Sequence, residues 1–205
     1  MTTKLNYDTL NDEYFYDAAD VILNGVYLNV NKTKYRIIEI EFYLKCKGHN
    51  DPCTHGDPDQ LLMHTFYFHK FKTGTYKAGT FKGMDLTFGS VKEKAYFGIL
   101  VRSILNIKTG QIIEGPCNVV NKILSEYACE SIMDFTNGEN LNIFDNDKNF
   151  IIVPTEKLIR HKIAAGPRIG LNKEKYPDHW NKNYRFVINK EKIKKGKTSL
   201  VYVEV

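Results

Sequence analysis

The chain has 205 residues, 42% apolar and 13% aromatic, enough to pack one substantial core. A net charge of +5 and a pI near 8.8 suit an anionic partner without requiring one. No run is long and apolar enough to span a bilayer, and the N-terminus lacks a hydrophobic signal segment. An intracellular chain is therefore expected, with Cys46, Cys53, Cys117 and Cys129 as free thiols.

In chain order, Asn11 or Asp12 can cap a helix through Leu23, with Tyr14, Ala18, Val21 and Ile22 at helical spacing and Gly25 ending it. Val26 to Val30 reads as a strand, followed by a turn over Asn31-Lys32-Thr33-Lys34. The stretch from Tyr35 then returns antiparallel as Tyr-Arg-Ile-Ile-Glu-Ile-Glu-Phe-Tyr-Leu-Lys, dense in β-branched residues. Tyr35, Ile37 and Glu39 fall on one face and Arg36, Ile38 and Ile40 on the other; Glu41 shares the face of Glu39. Carboxylates inside a strand are costly unless paired or used. The plainer reading is an edge strand whose polar face meets water.

The loop from Lys45 to Gln60 carries Cys46, His49, Cys53 and His55. Four such residues can make a zinc site, but this spacing matches no common zinc module, so no metal is expected. Leu62 to Phe71 alternates as an aromatic-rich strand containing Tyr67 and His69. Thr73 to Gly83 is Gly-rich, basic and aromatic, a composition that can track a phosphate backbone; Tyr76, Lys77, Phe81 and Lys82 are its candidates. It is no P-loop, and a solvated hairpin loop is the plainer alternative. Met84 to Phe88 is a short strand, and Ala95 to Leu105 is the most apolar one. Arg102 interrupts that run and needs a partner, for which Glu41 and Asp85 are the candidates.

Gly115-Pro116 opens a helix with Val119, Val120, Ile123 and Leu124 on one face. Asn137 to Asn149 reads as a polar loop and Phe150 to Val153 as a strand. In Gly166-Pro167-Arg168-Ile169-Gly170, Arg168 either contacts phosphate or braces the sheet. Lys190 to Lys197 reads as a solvated basic turn, and Leu200 to Val205 as a closing strand with Val201, Val203 and Val205 on one face.

Three of these segments, in this order, resemble the alkyladenine (3-methyladenine) DNA glycosylases. They are Arg-Ile-Ile-Glu-Ile-Glu-Phe-Tyr with the loop ending at His55, the apolar strand holding Arg102, and Pro167 to Gly170 followed by Tyr184-Arg185-Phe186. The resemblance implies an α+β fold: one domain, residues 1–205, around a curved, mainly antiparallel sheet with short flanking helices. It implies that Glu41 activates water, that Arg102 holds Glu41 and the water, and that Tyr43 stacks on an extruded base. His55 would contact the base or sugar, and His69 would stand where the family has a second stacking aromatic, although Tyr67 and Phe68 can equally be core. Tyr76 or Phe81 would wedge into the duplex, and Asp85 stands where the family has an Asn facing the base.

The implied activity is monofunctional DNA base excision in DNA repair, by hydrolysis of the N-glycosidic bond of a flipped, modified base. No cofactor is needed, and the expected partner is duplex DNA bound by a monomer, in the nucleus of a eukaryote or otherwise in the cytoplasm. Two rivals stand beside it: a nucleic-acid-binding module that has lost catalysis, and a hydrolase of free nucleosides or nucleotides.

Overall fold

The computed structural model describes residues 5–203 apart from 8, 11, 138–140 and 146–148. Helix α1 (Asp12–Gly25) leads into the hairpin of β1 (Val26–Val30) and β2 (Thr33–Lys45). The cap expected at Asn11 lies outside the described residues, and Asp12 is the first helical residue. Then come β3 (Met63–Phe68), β4 (Met84–Phe88), β5 (Tyr96–Asn106) and β6 (Ile112–Glu114). Helices α2 (Pro116–Glu126) and α3 (Ile132–Thr136) follow. The chain closes with β7 (Phe150–Pro154), β8 (Ile163–Gly166), β9 (Arg185–Ile188) and β10 (Val201–Tyr202).

The fold is α+β. Among the described residues, ten strands form one open antiparallel sheet with a main path β10-β8-β9-β2-β5-β4-β3; β1 joins β2 to β7, and β6 pairs with β5. β2 is therefore an interior strand, and the edge-strand reading of its carboxylates is corrected: Glu39 and Glu41 are 1% and 0% exposed. The reason is that β2 is long enough to hold β5 on one side and both β9 and β1 on the other.

The aromatic residues build the core around this strand. Phe15 of α1 stacks on Phe42 at 4.6 Å, and Phe186 meets Phe42 edge-on at 5.4 Å. Each fully buried Phe contributes roughly 1.5–3 kcal/mol relative to exposure. Arg36 ties α1 to the sheet by donating to the Leu23 carbonyl and the Asn24 side chain, which satisfies helix-end acceptors.

Three local expectations change. β3 stops at Phe68, so His69 lies just past its end. The closing strand shrinks to Val201–Tyr202; Val205 lies outside the described residues. The basic turn from Lys190 is not simply solvated: Ile193 is buried in the core, and the backbone is tied down. The Arg185 guanidinium binds the carbonyls of Lys195 and Gly196, and the Glu114 carboxylate accepts from the amides of Lys194 and Lys195.

Candidate active site

Two buried carboxylates lie side by side at the middle of β2. The β2–β5 ladder slips here: Ile37 pairs with Ile104, Glu39 with Ser103 and Ile40 with Val101, so Ile38 and Arg102 have no direct partner. Such irregularities re-aim side chains. Arg102 Nε donates to Glu39 Oε1 at 3.0 Å, and its Nη1 lies 3.3 Å from Glu41 Oε1. Arg185 Nε donates to the same Glu39 oxygen at 2.8 Å, while the Ser103 hydroxyl donates to the other. Glu39 thus balances two arginines, and Glu41 takes the free end of one. Burial would lower the Arg102 pKa, but Glu41 and then Glu39 outweigh it and raise it.

Glu41 is fixed at both oxygens. Oε1 accepts from the Ile169 amide at 2.7 Å, and Oε2, among the described residues, accepts only from the Tyr43 hydroxyl, at 2.8 Å. Burial and then the Glu41 charge push the Tyr43 phenol well above its usual pKa, so it keeps its proton and donates.

Beyond Tyr43 opens a cavity of about 170 Å³ lined by Tyr43, Cys53, His55, Gln60, His69 and Asp85, with Leu100, Leu171 and Tyr176 closing it. Sites for drug-sized ligands span ~300–1,000 Å³, so this space suits a single heterocycle. Glu41 does not line it, because the Tyr43 phenol stands between. A larger apolar groove, about 910 Å³ along Tyr7, Tyr14, Leu62, Met63 and Val91, shares no residue with the cavity. It lacks the buried carboxylates that acid–base chemistry needs.

The cavity has a polar wall. Asp85 accepts from His69 Nε2 at 2.7 Å and from the Gln60 amide at 3.1 Å. Burial raises the Asp85 pKa, but the His69 charge and hydrogen bond, with His55 and Gln60, outweigh it and leave it below the ordinary value. Only glycine fits at two neighbouring positions. A side chain at Gly98 would collide with the Asp85 carboxylate, and one at Gly83 would sit 2.5 Å from the His69 ring.

His55 exposes much of its surface, yet its ring packs edge-on against His69 at 4.4 Å. Crowding around the ring, then the charges of His69 and Lys77, push its pKa down to about 4. Lys77 Nζ lies 3.3 Å from His55 Nε2. A charged lysine can only donate there, so His55 is neutral with its proton on Nδ1. Burial, then Asp51, push the Cys53 thiol up to about 11, which disfavours its thiolate.

The structure thus gathers Tyr43, His55, His69 and Asp85 around one cavity, with Glu41 and Arg102 behind Tyr43. Two expectations are corrected. Of the two partners expected for Arg102, Glu41 holds and Asp85 does not: Arg102 pairs with Glu41 and also with Glu39, while Asp85 is committed to His69 and Gln60. Arg168 is 3% exposed and bidentate on Asp51, so it braces the interior and cannot reach a phosphate. Of the loop candidates, Tyr76 is half-buried with Lys70 5.4 Å over its ring, whereas Phe81 is 71% exposed. Lys82 is half-buried, and Lys77 turns toward His55.

Sequence reasoning missed Gln60 and Asp51, which carry no pattern, and gave no role to Glu39 and Arg185. Alternation with Glu41 marked Glu39, and an arginine inside the apolar Tyr184-Arg185-Phe186 step was the available sign for Arg185.

The Cys46 to His55 loop does not converge. The Cys46 thiol donates to the Tyr7 carbonyl, and His49 lies between the Leu44 carbonyl and the Tyr184 hydroxyl, away from the cavity residues Cys53 and His55. Among the described residues no three His, Cys, Asp or Glu are grouped to hold a metal. Among them, too, no helix is long and apolar enough to cross a membrane.

No family model matches the sequence. An uncharacterized protein of Acanthamoeba polyphaga mimivirus is 51% identical over 211 aligned residues, covering 98% of this chain and 97% of the viral protein. The chain belongs to the same family as that mimivirus protein.

Proposed function

We propose that the protein is a monofunctional DNA glycosylase of the alkyladenine type, which hydrolyses the N-glycosidic bond of a flipped, modified base. One observation carries the reading: the Glu41 carboxylate, held by Arg102, touches the hydroxyl of Tyr43, whose ring lines a cavity of single-heterocycle size. The base enters that cavity and stacks on Tyr43, with Asp85, His69 and His55 at its edges. Glu41 Oε2 is the oxygen that takes the proton from water, because its partner among the described residues is a hydroxyl, whereas Oε1 is tied to Arg102 and a backbone amide. Glu41 also offsets the positive charge that develops on the sugar. Water reaches Oε2 when the Tyr43 hydroxyl releases it. The exposed Phe81 is the better wedge candidate, because Tyr76 is tied down.

Complete burial of Glu41 supports a second reading, a nucleic-acid-binding module whose carboxylate is purely structural. Glu41→Gln decides between them on duplexes carrying single modified bases. Loss of a positioned base lowers excision by ~10²–10⁴-fold, with duplex binding retained. Wild-type protein that binds duplexes and releases no base from any of them supports the binding module. Release of base from nucleosides but not from duplexes would favour a small-molecule hydrolase.

A further inference from the structure

The buried pair Asp51–Arg168 adjoins the Tyr43 ring, the backbone between Glu41 and Tyr43, and the turn that leads to His55. Arg168 Nη1 and Nη2 bind the two oxygens of Asp51 at 2.5 and 3.1 Å, and both side chains are fully shielded from solvent. Nη1 also donates to the Phe42 carbonyl at 3.0 Å, between Glu41 and Tyr43. The guanidinium lies 4.5 Å from the centre of the Tyr43 ring, and Tyr43 lines the cavity. The residue after Arg168 supplies the amide that holds Glu41 Oε1. Asp51 in turn accepts from the Cys53 amide through its side chain and from the Thr54 amide through its carbonyl, setting the turn that presents His55.

We propose that Asp51 and Arg168 are positioning residues: the pair fixes the plane of the Tyr43 ring, the hydrogen bond on Glu41 and the approach of His55 as one unit. This rests on the reading that Tyr43 stacks a base while Glu41 activates water. The fork geometry matters as much as the charge, since a lysine cannot bind bidentately and stack at once.

The test uses the full chain with Arg168→Lys and Asp51→Asn on duplexes carrying one modified base. Single-turnover excision, duplex Kd and thermal unfolding are measured separately. Misplacement of reacting groups by about 1 Å costs on the order of 10²-fold in rate. A fall of that size, with Kd unchanged and unfolding still cooperative, is the expected result. The Tyr43→Leu background is the second readout: there Arg168→Lys should cost much less, because the two residues act as one unit. Three results overturn the inference: an unchanged rate in a folded variant, a loss confined to Kd, or loss of cooperative unfolding in both variants, which makes the pair a fold element only. Wild-type protein that excises nothing from the duplexes would instead defeat the glycosylase reading itself.

Discussion

His69 Nε2 donates to Asp85 Oδ1 at 2.7 Å, and this bond decides what Asp85 is available to do. With Gln60 on the other oxygen, the carboxylate is a compensated anion in the cavity wall. Asp85→Asn should destabilise the protein by about 1–3 kcal/mol at pH 7, the usual cost of leaving a buried polar group badly partnered. Because the folded pKa is depressed, this stability is present above the unfolded value of ~3.9 and is lost as pH falls below it. Urea unfolding of variant and wild type should differ at pH 7 and converge toward pH 3. A constant gap across that range would mean that the Asp85 charge is not what stabilises the wall. In excision assays the same variant should re-rank the bases removed, since Asn both donates and accepts where Asp only accepts.

His55 titrates in a different window. Its folded pKa is lowered to about 4, so between ~6.5 and 4 the unfolded chain binds a proton that the folded chain refuses. Stability should therefore fall as pH drops through that interval, and His55→Gln should flatten the slope. Urea midpoints at half-unit pH steps read this directly. If the slope survives in His55→Gln, another group is responsible.

Glu39 and Glu41 are neighbours with opposite expected phenotypes. Glu39 alone bridges Arg102 and Arg185, so Glu39→Ala strands buried charge and should cost ~3–5 kcal/mol. Glu41→Gln leaves Arg102 on Glu39 and should cost much less stability while abolishing most excision. Equal destabilisation by the two would mean that Glu41 is as structural as Glu39.

DNA affinity should depend on salt through the exposed loop. Lys77→Ala and Lys82→Ala should each lower the log–log salt slope by roughly 0.9 if they neutralise phosphates. Arg168→Lys should leave it unchanged, because Arg168 is enclosed. Phe81→Ala should weaken binding to duplexes without altering the slope, since an aromatic carries no counterion. Slopes that ignore both lysines would move the DNA interface elsewhere.

Local pattern was enough for much of this protein. The strand from Tyr35, the turn at Asn31, the strand at Met84 and the Gly115-Pro116 helix start all follow from short-range rules; the strand at Met84 and the helix formed where their residues indicated, while the turn closed to Asn31–Lys32 and the strand began two residues early, at Thr33. The same chemistry marked Glu41 and Arg102 as residues in need of partners, because a charge in an apolar strand is conspicuous in sequence. Which partner each charge took was settled only by tertiary structure. Arg102 had Glu41 and Asp85 as candidates, yet beside the slip in the β2–β5 ladder it took Glu39 together with Glu41, and Asp85 of β4 found His69 just past the end of β3. Arg168 carries the same charge as a phosphate-binding arginine. Its enclosure beneath Tyr43 depends on Asp51, 117 positions earlier in the chain. Ion pairing inside a core depends on which strands become neighbours, and periodicity along one strand does not encode that.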